Sequence, residues 1–241
     1  MRHSSDRLTA KQSPLLFQKG IQTRQTTNNF LPPYNTTLAA QLGVSLDYSV
    51  LDKIVLDFIT QNPSGTIINL GAGLDNRFFR LDNGQIQWFD IDVPETIELR
   101  RTFFEANDRY QLIPTNIFGR NLLKYLPPTS NSLIIIEGLA MYYSESKIKT
   151  LVQNICRHYS SCEIILEVIH PAVMDSVAYA TPNLPLKWAV SNLNQVEKWH
   201  KKLFLAQEFH HLSSDSTSKS QYFHNITQPH EMIKLGHFKV G

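Results

Sequence analysis

The sequence predicts an α/β protein with a doubly wound, mainly parallel sheet, and three observations carry that reading. Short β-branched or apolar runs at Thr66–Leu70, Ile86–Asp92, Leu133–Ile136 and Glu163–Ile169 are separated by stretches of helical periodicity, the signature of repeated βαβ units. The first run ends directly in Gly71-Ala72-Gly73, a turn suited to the passage from strand to helix. Leu133–Ile136 is apolar without alternation, as expected of a central strand covered on both faces.

In chain order, residues 1 to 43 are rich in Gln, Asn, Thr and Ser, and Pro32-Pro33 blocks a long helix, so they read as an N-terminal helical cover, partly flexible, ahead of one domain over 44 to 241. Val50, Leu51, Ile54, Val55, Phe58 and Ile59 repeat a pair every four residues and line one helix face until Asn62-Pro63-Ser64-Gly65 stops it. Pro94 suits a first helical turn, and Thr96 to Ala106 follow as a helix with Glu95 near its positive end and Arg100 and Arg101 further along, an order the macrodipole favours. Ser144 is the expected N-cap of a helix carrying Ile148, Leu151, Val152 and Ile155. After Pro171 the periodicity weakens: Val196, Trp199 and Leu203 form one amphipathic stretch, Ser213–Ser220 reads as an exposed loop, and Phe223–Val240 adds strands at the sheet edge.

Composition narrows the function. With 241 residues, 10 glycines, 12 prolines and 42% hydrophobic residues, the chain is neither collagen-like nor wholly disordered. A net charge of +2 is too small for a dedicated polyanion binder, so no nucleic-acid partner is expected. Cys156 and Cys162 have no companion Cys or His at metal-ligand spacing, which predicts no metal and a reducing compartment. The opening MRHSSDRLTAKQS lacks the apolar core of an export signal, and no apolar run approaches the ~20 residues that span a bilayer. These features predict a cytoplasmic protein without membrane partners.

In open parallel sheets, ligands bind beyond the carboxyl ends of the strands, where the winding reverses. Gly71 and Gly73 at the first end let a ligand approach the backbone closely. Asp92 ends the second strand, 21 residues after Gly71, where an acidic side chain can accept both hydroxyls of an adenosine ribose. Asp90, two residues earlier, is expected to face the same crevice.

The third glycine of the dinucleotide fingerprint would fall at position 76, which is Asn76, and Asp75 brings negative charge to the place a diphosphate would occupy. A cofactor with adenosine, no phosphate and a positive sulfonium fits better, because opposite charge attracts it: S-adenosylmethionine.

Asn69–Leu81 (NLGAGLDNRFFRL), Trp88–Arg101 (WFDIDVPETIELRR) and Glu137–Tyr142 (EGLAMY) resemble successive signatures of the leucine carboxyl methyltransferase family, particularly its bacterial branch of polyketide O-methyltransferases. The similarity runs over roughly residues 44 to 205. It implies a class I methyltransferase fold: a seven-stranded sheet with its last strand antiparallel and S-adenosylmethionine as cofactor. Carried over by position, Gly71 and Gly73 would form the turn beneath the methionine and ribose, and Asp92 would hold the ribose. Asn116-Ile117 would take the place of an Asp-Leu pair that contacts adenine, and Glu137 would sit near the methionine end or the sulfonium. The chain departs from the family in one place. The family arginine that pairs with the cofactor carboxylate is missing from Leu46-Asp47-Tyr48-Ser49, leaving Arg77, Arg24 or Lys53 as replacements.

A carboxylate acceptor is already ionised at neutral pH and needs no catalytic base, so no catalytic residue is assigned. A phenol or alcohol would need one, and His170 at the end of the Glu163–Ile169 run is the candidate, with Tyr142 and Tyr143 lining the substrate pocket. Trp188, Trp199 and Tyr179 are candidates for an aromatic acceptor pocket. The leading expectation is an O-methyltransferase for a carboxylate or hydroxyl of a small polyketide-like metabolite. Methylation of a protein C-terminal carboxylate and a non-catalytic module of the same fold stay open.

Overall fold

The computed structural model describes residues 47–127, 129, 131–174, 186–210 and 232–241. The N-terminal cover, Arg24, Tyr179 and the loop at 213–220 lie outside these residues. Helix α1 (Tyr48–Gln61) buries Leu51, Ile54, Val55, Phe58 and Ile59, the stripe expected from the four-residue repeat. Asp47 caps it by accepting the Ser49 amide at 3.1 Å, which satisfies one of the unpaired amides of the first turn.

Then follow β1 (Thr66–Leu70), α2 (Arg77–Leu81), β2 (Gln87–Asp92), α3 (Pro94–Arg100), β3 (Tyr110–Pro114), α4 (Leu122–Tyr125), β4 (Ser132–Ile136), a 3₁₀ turn at Ala140–Tyr142, α5 (Glu145–His158), β5 (Cys162–Ile169), α6 (Asn194–Glu197), β6 (Leu203–His210) and β7 (Ile233–Val240). The strands form one seven-stranded sheet in the order β3-β2-β1-β4-β5-β7-β6. β1 to β5 pair in parallel. β7 runs antiparallel between β5 and β6. The winding reverses between β1 and β4, so the crevice for a ligand opens at their carboxyl ends.

Two apolar layers cover the sheet. One joins Ile68, Ile134 and Ile164 to Ile148, Val152 and Ile155 of α5; the other joins Ile67, Leu133 and Ile135 to Leu51, Val55 and Phe58 of α1. β1 and β4 are buried at every position, which explains why their sequences carry no polar alternation. Cys156 and Cys162 are buried free thiols in the first layer, and burial pushes Cys156 up to about 11, away from reactivity.

Three local expectations are corrected. The helix read over Thr96–Ala106 ends at Arg100, because the Phe103 and Phe104 amides both turn back to the Arg100 carbonyl at 2.9 Å and the Thr102 hydroxyl donates to the Leu99 carbonyl, competing with helix continuation. Ser144 takes the N-cap position of α5, as expected, its carbonyl accepting the Ile148 amide at 3.2 Å, but its side chain makes no cap; the hydroxyl instead pairs with that of Ser146 at 3.1 Å. Leu203, grouped with the amphipathic stretch, opens the edge strand β6.

Glu163 on β5 meets His237 of β7 at 2.5 Å, and that hydrogen bond holds the Glu163 carboxyl below the usual carboxylate range. A depressed folded-state value adds stability above the ordinary glutamate range and loses it as pH falls through the depressed value. Glu163→Gln is therefore expected to cost about 0.5–1 kcal/mol at neutral pH and nothing in acid, as urea unfolding across pH would show.

Candidate functional site

The crevice is built from the tips of β1, β2 and β4. Gly71 and Gly73 adopt left-handed backbone, with φ of 76° and 50°, which other residues enter only at a cost. The two glycines differ in surroundings: a Cβ on Gly71 would approach Leu139 to 3.1 Å, whereas one on Gly73 meets nothing within 4 Å. Gly73 thus faces open space, and the intrusion expected at Gly71 is into Leu139.

Asp92 lies directly against this turn. Its carboxylate accepts the Gly73 amide at 2.9 Å and the Val93 amide at 2.7 Å. Burial pushes its carboxyl above the usual range, against the lowering effect of these two amides. Asp90 does not share the crevice, contrary to expectation. It is 1% exposed and accepts from Trp88 Nε1 at 2.9 Å, from the Tyr110 hydroxyl at 2.6 Å and from Arg100. Arg100, which also holds the Gly73 and Asp75 carbonyls, and Tyr110 seal it beneath the turn.

Glu137, just past β4, meets Arg77 in a forked pair with contacts of 2.6 and 3.2 Å. The same guanidinium donates to Asp75 at 2.8 Å and to Asp52 of α1 at 2.9 Å. Asp75 is fixed further by the Asn69 side-chain amide at 3.0 Å and by the Arg77 backbone amide at 2.9 Å. Burial drives the Glu137 carboxyl upward despite Arg77, and burial together with the Glu137 and Glu167 charges pushes the Tyr48 hydroxyl up to about 12. Arg77 is committed to three carboxylates and only 2% exposed, so its guanidinium is not the unpaired substitute that the missing arginine called for. Lys53 is exposed on α1.

Asn116 is exposed, and its side-chain oxygen accepts the Phe118 amide at 2.9 Å. Ile117 is buried and, with Phe118, Leu122, Lys147 and Thr150, lines a cavity of about 280 Å³ beside α5. Phe118 packs on Tyr143 with ring centres 4.4 Å apart, and Lys147 lies 5.6 Å from both rings. The two tyrosines diverge. Burial and the Asp92 charge raise the Tyr143 hydroxyl, whereas burial and the Glu167 charge push Tyr142 up to about 12.

His170 Nδ1 accepts the Ala172 amide at 3.2 Å, so the neutral ring carries its proton on Nε2. In that tautomer the outer nitrogen is a donor, which weakens the assignment of His170 as a base. Trp188 and Trp199 are each 7% exposed and pack together in the apolar layer that includes α5, with ring centres 5.5 Å apart.

Sequence reasoning missed Arg100, treated there as a dipole partner. Among the described residues it is a fully buried cation beneath the turn. A signal was present, since Arg100 lies three residues after Ile97 on the inward face of α3.

The leucine carboxyl methyltransferase family model matches residues 19–156, more than half of the chain. The chain belongs to the leucine carboxyl methyltransferase family. Within the family's reach, it is 26% identical over 152 residues to the tetracenomycin polyketide synthesis O-methyltransferase TcmP of Streptomyces glaucescens, covering 61% of this chain and 56% of that protein. It is 29% identical over 161 residues to an S-adenosyl-L-methionine-dependent methyltransferase, dpfgK, of Gibberella zeae, covering 63% and 53%. The chain thus spans little more than half the length of these curated relatives. Among solved structures, a DUF574 family protein from Streptomyces avermitilis superposes with a TM-score of 0.61 at 9% identity, covering 95% and 97% of the two chains. Magnesium protoporphyrin IX methyltransferase from Synechocystis, with bound S-adenosylhomocysteine, gives 0.56 at 7% identity, covering 95% of each. These likenesses establish the class I methyltransferase fold of this family member.

Proposed function

We propose that the protein is an S-adenosylmethionine-dependent O-methyltransferase acting on a carboxylate or hydroxyl of a small, polyketide-like metabolite. The observation that carries this reading is the Gly73–Asp92 contact: a left-handed turn facing open space, with a carboxylate against its amide at the switch point of the sheet. Gly71, Gly73, Asp92, Asn116, Ile117 and Glu137 would hold the cofactor, which supplies an electrophilic methyl when bound. Tyr142 and His170 would border the acceptor.

The electrostatics favour this cofactor over a dinucleotide. Asp52, Asp75 and Glu137 surround Arg77, an acidic excess that attracts a sulfonium and repels a diphosphate. The amide that would open an anion site at α2 is already accepted by Asp75. For a carboxylate acceptor the protein's task is orientation and exclusion of water, which the His170 tautomer suits, since Nε2–H can donate a hydrogen bond to an anionic oxygen.

A relative named for polyketide synthesis favours a metabolite over a protein acceptor. No helix among the described residues is long and apolar enough to cross a membrane, and the buried free thiols fit a cytoplasmic setting. Incubation with methyl-labelled S-adenosylmethionine and a panel of aromatic acids and phenols tests the reading. Label in an organic-extractable product is expected; label confined to polypeptide would move the assignment to a protein carboxyl methyltransferase, and no transfer to either would contradict it.

A further inference from the structure

The turn that faces the crevice is held from behind by a cation that has no part in the chemistry above. Arg100 is 0% exposed. Its guanidinium donates to the carbonyl oxygens of Ala72 at 3.3 Å, Gly73 at 2.7 Å and Asp75 at 2.8 Å. It also pairs with Asp90 and donates to the Tyr110 hydroxyl at 2.7 Å, while that hydroxyl donates to Asp90 at 2.6 Å. The Phe104 ring covers the guanidinium, 4.9 Å away.

A turn containing two left-handed residues departs from both strand and helix, and its carbonyls must find partners elsewhere. Gly73 is fixed at both ends of its residue, the amide by Asp92 and the carbonyl by Arg100. A planar fork can reach several carbonyls and a carboxylate together; an ammonium, with three donors on one atom, cannot span them. Asp90 and Tyr110 in turn fix the fork, because both bind Nη2, the same terminal nitrogen that reaches the Asp75 carbonyl.

We infer that Arg100, oriented by Asp90 and Tyr110, is a positioning residue that sets the Gly71–Asp75 turn in its ligand-receiving conformation, so that affinity for the adenosyl cofactor depends on a side chain beneath the turn. The inference rests on the S-adenosylmethionine reading of the crevice.

The test uses the full chain and two variants. Arg100→Lys keeps the charge and loses the fork. Tyr110→Phe keeps the ring that stacks on Phe78 at 4.5 Å and loses only the hydroxyl. S-adenosylhomocysteine affinity is measured by calorimetry well below the unfolding temperature, and amide exchange is resolved over residues 71–76 and, as an internal control, over β4. Arg100→Lys is expected to bind about 10-fold more weakly and Tyr110→Phe about 3-fold more weakly, with faster exchange in the turn and unchanged exchange in β4. Should Arg100→Lys fail to fold, Tyr110→Phe carries the same comparison. Wild-type affinity and wild-type turn exchange in the folded variants would overturn the positioning role and leave the cofactor reading standing. Absence of binding by the wild-type chain would overturn the cofactor reading itself, and the inference with it.

Discussion

Arg77→Met is expected to lose about 3–5 kcal/mol of stability, because it strands carboxylates whose shared cation sits in a desolvated pocket. At this chain length that loss corresponds to roughly a 10 °C fall in unfolding temperature. Asp52 keeps Arg80 as a partner, so the burden falls on Glu137 and Asp75. Burial already raises the Glu137 carboxyl, and without Arg77 it rises further. The native variant then holds a proton that the unfolded chain releases, so its stability falls as pH rises from acid through neutrality. Urea unfolding at several pH values would show the difference between wild type and variant widening with pH; a constant difference would contradict the assignment of Glu137 as the stranded group.

Asp90→Ala is expected to cost a similar 3–5 kcal/mol, for the opposite reason. It leaves the Arg100 guanidinium buried without its carboxylate, and a guanidinium cannot shed its proton to relieve the penalty. The loss should therefore stay flat through the neutral range, where that of Arg77→Met slopes. Asp90→Asn, which keeps an acceptor for Tyr110 and Trp88, should recover part of it in the same measurements. Equal stability of wild type and Asp90→Ala would mean that Arg100 finds other compensation.

Much of this architecture was legible because burial leaves a direct mark on sequence. β1 and β4 are buried throughout and read as unbroken apolar runs, and α1 shows its buried face as a four-residue repeat. The Gly71–Gly73 turn and Asp92 were legible through spacing, since strand length and one crossover fix the distance between neighbouring strand tips. What spacing does not encode is which way a polar side chain turns. Asp90 and Asp92 look alike in sequence, yet one is sealed by Arg100 and Tyr110 and the other reaches the Gly73 amide. Likewise Arg77 reads as a spare cation until Asp52, Asp75 and Glu137, drawn from three separate elements, close around it. β6 was hidden for another reason: as an edge strand with mostly exposed or half-exposed side chains, it lacks the apolar alternation that marks a half-buried strand.

The most direct measurement is calorimetric titration of S-adenosylhomocysteine into the full chain and into Asp92→Ala. Saturable binding at one site per wild-type chain is expected, weakened by about 1–3 kcal/mol in the variant through loss of the carboxylate that holds the turn and, on the proposed reading, would meet the ribose. No heat at high micromolar ligand, or equal affinity in the two proteins, would contradict the assignment of the β1–β2 tips as the cofactor site.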